Sequence, residues 1–208
     1  MRCTIDHLTV TAPTLESGAA FVTQALGVAP GPGGEHPRMG THNLLLKLGE
    51  STFLEVIATN PAAPHPGRPR WFALDDAEAT REPRLAAWVA RTDDLRTCPP
   101  GLLERIGAVE TMTRGAREWL ITIPAYGALP FAGALPMLIE WQSPRIPAGA
   151  GLPDAGCSLA TLGLRHPDPD RLASLLALAG LEDRVETAAG APGVWADIVT
   201  PLGLRRLG

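Results

Sequence analysis

Residues 31–58 of the chain read GPGGEHPRMGTHNLLLKLGESTFLEVIA, a glycine-rich run followed by two strand-like runs. The strand-like runs, 43–48 and 52–58, are predicted to pair across a short turn. Glu55 lies inside the apolar second run, and a carboxylate there costs free energy unless a hydrogen bond, a cation or a metal satisfies it. The sequence therefore predicts a specific partner for Glu55.

The glycine-rich run carries His36, and His42 follows it closely. It is not a phosphate-binding loop, because it lacks the G-K-[ST] ending and no helix start follows it. We predict a loop that lets the backbone turn tightly beside a cavity. His36, His42 and Asn43 are candidates for binding a substrate there, and the alternative for the two histidines is a place on a surface turn.

The partner expected for Glu55 lies near the start of the chain, in the strand-like run 3–11, CTIDHLTVT. Alternation along that run places His7 on the face opposite its apolar neighbours. An amphipathic helix is predicted over 15–26, where a threonine precedes the apolar pattern and a glycine ends it. Two roles for His7 are compatible with these residues: it binds a metal, or it is a polar side chain that hydrogen-bonds to neighbouring backbone.

The order of elements begins again after a proline-rich connector. LAAWVARTDDL (85–95) matches IDHLTVTAPTL (5–15), and Glu140 in LIEW takes the place that Glu55 has in FLEV. The elements predicted in this second copy are strands at 85–91, 108–113, 118–123 and 137–141 and a short helix around 102–106. The same strand, helix and strands thus occur twice, with a carboxylate in the last strand of each copy.

The aromatic residues Trp71 and Phe72 follow the connector and are candidates for lining an apolar cavity. Large aromatic side chains also fill small cores, and we expect that role for Trp141. Segment 144–156 is rich in proline and glycine and is predicted to be a linker. Beyond it, 157–208 is predicted to hold a strand, a helix and a hairpin.

Composition excludes several classes of function. A formal net charge of -4 without blocks of like charge gives no footprint for nucleic acid or for an anionic membrane. No apolar run approaches the roughly 20 residues that cross a bilayer. The N-terminus lacks the pattern of a signal peptide, so a cytoplasmic location is expected. The three cysteines are too widely spaced for a zinc knuckle or a disulfide framework.

These motifs resemble the glyoxalase-like branch of the vicinal oxygen chelate superfamily. The similarity lies in DH of the first strand, GG-x-HP-x-x-GT-x-N in the following loop, and LE in the last strand of the module. It implies an α+β fold in which paired βαβββ modules, 1–62 and 84–143, form a curved mixed sheet around a central cavity. Residues 157–208 would then be an additional C-terminal partial module on the same fold. The resemblance also implies a small-molecule ligand and permits a homodimer.

The same resemblance implies a divalent metal ion whose identity it leaves open. Carried over residue by residue, it assigns His7, Glu55 and Glu140 as ligands. The position of the second module that matches His7 is Ala87, which cannot bind a metal. Each glutamate could instead be paired with one of the many arginines.

The resemblance implies lyase or isomerase chemistry on an α-oxygenated substrate. The metal would polarise two neighbouring oxygens and stabilise an enediolate-type intermediate, and Glu55 or Glu140 would move the proton. The competing hypothesis is a metal-free protein of the same fold that binds or sequesters a small molecule. Ala87 favours that alternative, whereas the paired LE motifs oppose it.

Overall fold

The computed structural model describes residues 1–208 and contains two β-sheets and three α-helices. The strands of the larger sheet are β1 (Thr4–Thr11), β2 (Gly31–His36), β3 (Thr41–Lys47), β4 (Phe53–Thr59), β5 (Arg84–Arg91), β6 (Ala108–Arg114), β7 (Arg117–Ile123) and β8 (Met137–Ser143). The strands of the smaller sheet are β9 (Ser158–His166), β10 (Val185–Ala189), β11 (Gly193–Thr200) and β12 (Gly203–Leu207). The helices are α1 (Leu15–Leu26), α2 (Pro100–Ile106) and α3 (Pro169–Leu178). None of the helices is long and apolar enough to cross a membrane.

The larger sheet joins the two modules side by side, in the order β2-β3-β4-β1-β5-β8-β7-β6. In each module the last strand pairs in parallel with the first, β4 with β1 and β8 with β5. The modules meet at the antiparallel pair β1 and β5, and the sheet curls into a half-barrel. The predicted α+β fold of paired modules around a curved mixed sheet is confirmed.

The β1–β5 pair sets how residues of the two modules correspond. Leu8 lies opposite Trp88, and Thr9 lies opposite Ala87. An approximate two-fold axis through the Leu8–Trp88 pair therefore exchanges the modules residue by residue. It exchanges His7 with Ala87, as the sequence repeat predicts.

The two faces of the half-barrel have separate cores, because side chains alternate along each strand. The convex face carries Leu8, Leu54 and Trp88, which pack in one cluster with side chains of α1, α2 and the smaller sheet. The concave face carries a second cluster that includes Ile57 and Val89. The concave face is where polar residues of β1, β3 and β4 interrupt the apolar packing.

Helix α1 confirms the predicted helix, and its ends follow from two residues. Thr14 and Ser17 form a capping box at the N-terminus, in which each side chain bonds to the other residue's backbone. Gly27 ends the helix with a φ of 73°, a left-handed conformation that suits glycine. The helix then packs Val22 and Leu26 onto the convex face.

The loop predicted at the start of the glycine-rich run is instead an edge strand. Gly31 pairs with Leu45 and His36 pairs with Thr41, so β2 extends the sheet beyond β3. Glycine and proline have low strand propensity, which is why the local sequence does not predict β2. Pairing with β3 decides its conformation.

The C-terminal segment forms the smaller sheet, in the order β10-β9-β11-β12. Its elements have the same order as a module, but β9 pairs in parallel with β10 and antiparallel with β11. It is therefore not a third copy of the βαβββ module. One apolar cluster runs across both sheets. The division of the chain into domains at 143 and 157 stays a prediction.

Candidate functional site

A small cavity lies on the concave face of the half-barrel. Its polar wall consists of His7, His36, Asn43, Glu55 and Arg114. Its aromatic wall consists of Phe53, Trp71, Phe72, Trp119 and Trp141. The volume open to the centre of a water molecule is about 40 Å³, which is room for a few waters or a small organic molecule.

His7 enters this cavity from β1 and is oriented from behind by Asp6. A bulge at Asp6 interrupts the β1–β5 pairing, and bulges commonly re-aim side chains next to functional sites. Asp6 is fully buried; its Oδ1 lies 2.7 Å from His7 Nδ1, and its Oδ2 accepts a hydrogen bond from Trp141 Nε1 at 2.9 Å. Because a carboxylate only accepts, the His7 proton is placed on Nδ1 and the lone pair of Nε2 faces the cavity.

Glu55 is held by an amide whose orientation is determined by the edge strand. The backbone N–H of Gly34 donates to Asn43 Oδ1 at 2.8 Å. The amide nitrogen Asn43 Nδ2 therefore points to Glu55 and donates to Oε1 at 2.6 Å. The other oxygen, Glu55 Oε2, lies 3.7 Å from His7 Nε2. That distance is too long for a hydrogen bond and leaves both atoms available to a third group.

The glycines of β2 make this packing possible. A β-carbon at Gly33 would lie 2.2 Å from Asn43 Oδ1, and one at Gly34 would lie 3.1 Å from Arg114 Nη1. The 2.2 Å distance is far too short for any contact, and the 3.1 Å distance is shorter than most van der Waals contacts. Larger residues at either position would therefore displace the polar wall. The glycine-rich motif therefore serves close approach of β2 to the cavity residues.

His36 contributes a neutral imidazole to the cavity. Its Nδ1 lies 3.2 Å from Thr41 Oγ1, which also accepts a hydrogen bond from Trp71 Nε1. Its Nε2 lies 3.5 Å from Arg114 Nη1. Burial, and next the positive charge of Arg114, lower the pKa of His36 to about 3. Its Nε2 is therefore a weak acceptor for the guanidinium.

Arg114 reaches the cavity from the far edge of the sheet, at the end of β6. Burial lowers the pKa of Arg114, while the Glu55 carboxylate acts in the opposite direction. A guanidinium stays protonated in a protein even so, and it brings a positive charge to the cavity. The two edge strands, β2 and β6, thus meet across the cavity. Near this meeting point Arg38 donates a hydrogen bond to the Thr111 carbonyl oxygen of β6 at 2.9 Å.

The comparison with known families identifies the fold. The family model described as a glyoxalase-like domain matches residues 5–180. The chain belongs to this family. The predicted resemblance to glyoxalase-like proteins is thereby confirmed. No curated protein matches the chain in sequence.

Several solved structures are similar to this glyoxalase-like protein at low sequence identity, and the first of them shares its fold. A hypothetical protein from Staphylococcus aureus is 13% identical with a TM-score of 0.63, over 93% of this chain and 88% of that chain. The Mn(II)-bound glyoxalase from Novosphingobium aromaticivorans is 8% identical with a TM-score of 0.49, over 97% and 80%. Methylmalonyl-CoA epimerase from Mycobacterium tuberculosis is 15% identical with a TM-score of 0.42, over 67% and 87%.

The structure brings most of the predicted site residues of this glyoxalase-like protein together. Those that line the cavity are His7, His36, Asn43, Glu55, Trp71 and Phe72. Their chemical roles stay predictions. Trp141, expected in the core, is only partly buried and forms cavity wall. Two residues that the sequence reasoning missed are Asp6, whose only signal is its place beside His7, and Arg114, which has no local signal.

Two predicted site residues lie elsewhere. His42 is on the face of β3 opposite Thr41 and Asn43, so it does not line the cavity. Glu140 lies on the convex side of β8, where its Oε2 accepts from the Leu95 backbone N–H at 2.7 Å. Its Oε1 accepts from the Gln142 side chain at 2.6 Å. The prediction that His42 and Glu140 share one site with His7 and Glu55 is therefore wrong.

The register of the sheet explains the error at Glu140. Thr9 pairs with Glu55 in module one, and Val89 pairs with Met137 in module two. The two-fold axis exchanges Thr9 with Val89, so the place equivalent to Glu55 belongs to Met137. The letters LIEW and FLEV match, but Glu140 is out of phase and faces the helices.

The predicted metal site can be tested on this donor set. His7 Nε2 and Glu55 Oε2 are of the right type, but the equivalent positions of module two are the apolar Ala87 and Met137. No group of three histidine, cysteine, aspartate or glutamate side chains in the chain could hold a metal ion. Asn43 turns its N–H donors toward Glu55. The residues present therefore do not fit the predicted three-ligand site.

Proposed function

We propose that the cavity is the active site of a small-molecule lyase or isomerase, in which His7 and Glu55 move a proton of an α-oxygenated substrate. The observation that carries this proposal is the 3.7 Å separation of His7 Nε2 and Glu55 Oε2. Each of these atoms is free on the cavity side, and each side chain is fixed from behind, by Asp6 and by Asn43.

The proton step uses the Asp6–His7 pair as the base. A proton on the carbon next to a substrate carbonyl passes to His7 Nε2, and the C–H electron pair forms a C=C bond while the carbonyl pair moves onto oxygen. The product is an enediolate-type anion and an imidazolium that the Asp6 carboxylate stabilises. Such general base catalysis contributes typically about 10²- to 10⁴-fold to the rate.

Glu55 completes the reaction: the His7 imidazolium gives its proton to the enediolate oxygen, and Glu55 Oε2 takes the proton of the neighbouring substrate hydroxyl and returns it to carbon. Its Oε2 lies on the same side of the cavity as His7 Nε2, so a proton can pass between substrate and either group. Return to the former carbonyl carbon gives isomerisation. In a lyase reaction the intermediate instead expels a leaving group, with its bonding electrons, from the next carbon as a new C=C bond forms, and the imidazolium protonates the departing group. The aromatic wall excludes water and holds the apolar part of a small substrate.

A metal-dependent form of this reaction would depend on His7 and Glu55 as the only protein ligands. Because the donor set falls short of a metal site, no step of the proposed mechanism passes through a metal. The second candidate is a metal-free protein that binds the same class of molecule without turnover. The apolar Ala87 and Met137 favour it, because with them module two contributes no acid or base to the cavity.

The experiment is exchange of substrate C–H protons in D₂O, followed by proton NMR with hydroxyacetone, dihydroxyacetone and pyruvate as probes. We expect exchange with the wild type and a loss of about 10²-fold or more in His7→Gln. His42→Gln changes the same residue type outside the cavity and is expected to leave exchange unchanged.

Two further outcomes separate the alternatives. Exchange should persist after treatment with a chelator; loss on chelation with recovery on adding manganese, nickel or zinc would support the metal-dependent form instead. Binding of a probe by calorimetry without any exchange would support the binding protein. Neither binding nor exchange with any probe would refute both.

A further inference from the structure

We infer that Arg114 is the anion-binding residue of the cavity and that the ligand is a small α-oxygenated carboxylate. This inference rests on the proposed function in that it uses the same cavity, and it names the substrate class that the function leaves open. It starts from the position of Arg114 at the far edge of the sheet, facing the residues of module one across the cavity.

Arg114 lines the cavity without a carboxylate partner, whereas three arginines of module one and the connector are paired. Arg38 and Arg68 both pair with Glu110, and Arg70 pairs with Asp75. Arg114 makes no salt bridge. The polar contact of its guanidinium within the protein is with His36 Nε2, a neutral acceptor 3.5 Å from Nη1.

The guanidinium therefore has donors to spare inside a partly dry cavity. Burial that lowers the pKa of Arg114 also means that its charge has lost part of its hydration. An arginine in that situation gains most from an anion that replaces the lost water. Arg114 is the one arginine or lysine among the cavity residues, so an anion has a single place to bind.

A glycine of β2, Gly34, leaves room for the Arg114 side chain. A β-carbon at Gly34 would lie 3.2 Å from Arg114 Cδ and 3.1 Å from Nη1. Glycine in a strand weakens it, so a glycine here is explained by the close approach of the arginine. The edge strand β2 thus positions Arg114 on one side and Asn43 on the other.

Carboxylate is the anion that fits. The planar guanidinium fork matches the two oxygens of a carboxylate, and the volume open to the centre of a water molecule, about 40 Å³, admits only a small molecule. Glu55 stands in the same cavity and disfavours a ligand with a second negative charge. A carboxylate on Arg114 lies in the cavity that His7 and Glu55 also line.

The test compares pyruvate with dihydroxyacetone, which is neutral and of similar size, by isothermal titration calorimetry. We expect Arg114→Gln to weaken pyruvate binding about 10- to 100-fold and to change dihydroxyacetone binding less than about threefold. Arg114→Lys, which keeps the charge and loses the fork, should fall between wild type and Arg114→Gln. Arg205→Gln makes the same change on the exposed strand β12 and should bind as wild type does.

Three results would overturn the inference: no binding of pyruvate to the wild type, unchanged binding in Arg114→Gln, or equal weakening of both probes. A thermal unfolding curve for each variant shows whether the fold is retained. Gly34→Ala provides a second variant that moves the guanidinium without removing it, and pyruvate binding should weaken there as well.

The same probes distinguish failure of this inference from failure of the proposed function. Arg114-dependent binding of pyruvate without proton exchange would keep the anion site and refute the enzyme. Exchange of dihydroxyacetone protons by a protein that does not bind pyruvate would keep the enzyme and refute the anion site.

Discussion

The two modules of the large sheet have the same order of elements and the same strand pairing, but their concave faces differ in chemistry. Module one places His7 and Glu55 on that face. Module two places Ala87 and Met137 at the equivalent positions, inside an apolar cluster. Its polar contribution, Arg114, comes from the outer hairpin instead of the central strands.

The difference shows that alternation of side chains along the strands is enough for the fold. The site also requires hydrogen-bond partners for its buried polar side chains. Both concave faces pack against apolar partners, so either residue set satisfies the sheet. A buried acid–base pair also needs partners behind it, and Asp6 and Asn43 supply them in module one. Module two lacks such partners and keeps apolar side chains, which are cheaper to bury.

The largest effect is expected from exchanging one glutamate of each module for glutamine. Glu55→Gln keeps the shape and removes the carboxylate, so proton exchange should fall by about 10²- to 10⁴-fold. Glu140→Gln should leave exchange within about threefold and lower the free energy of unfolding by about 1–2 kcal/mol, because it weakens buried hydrogen bonds. NMR exchange rates and urea unfolding measure the two effects. Equal losses of exchange in both variants would show that the modules do not differ in this way.

A smaller effect is expected from adding a methyl group to one glycine of each module. Gly33→Ala would place a β-carbon 2.5 Å from the Asn43 carbonyl oxygen, which is backbone and cannot rotate away. We expect it to lower the free energy of unfolding by about 1–3 kcal/mol. Gly101→Ala, in α2, meets nothing within 4 Å and should raise that free energy by about 0.5 kcal/mol through helix propensity. Urea unfolding of both variants is the measurement, and a stable Gly33→Ala protein would contradict the close packing of β2.

An effect that develops only as the pH falls is expected from His36, which is buried in the cavity of module one. Burial, and then Arg114, hold the pKa of His36 at about 3 in the folded protein, against an ordinary value of 6.5. Below pH 6.5 the unfolded chain therefore binds a proton that the folded protein does not. The free energy of unfolding should fall with falling pH through this window, by at most about 1.4 kcal/mol per pH unit from this residue.

His36→Gln removes this contribution, so between about pH 6.5 and pH 5 its stability should fall by about 2 kcal/mol less than that of the wild type. Urea unfolding at both pH values measures the difference. His65→Gln, at an exposed histidine, should keep the slope of the wild type. Identical slopes in all three proteins would show that His36 is not held neutral by burial.

Several features follow from local sequence. The pattern of apolar positions and the Thr14 and Gly27 caps predict α1, and alternation places His7 and Glu55 on inward faces. The repeated order of elements predicts the paired modules. These predictions succeed because alternation, capping and repetition depend on residues close together in the chain.

Other features depend on long-range pairing. The register of β5 with β8 decides that Met137, and not Glu140, faces inward, and a one-residue shift in phase reverses every side chain. The bulge at Asp6 and the approach of Arg114 to His36 arise only when strands distant in sequence meet. The sequence by itself determined the modules and the His7–Glu55 pair. Tertiary structure decided the rest of the site, because which side chains share a cavity depends on strand register and sheet curvature, and neither is encoded by neighbouring residues alone.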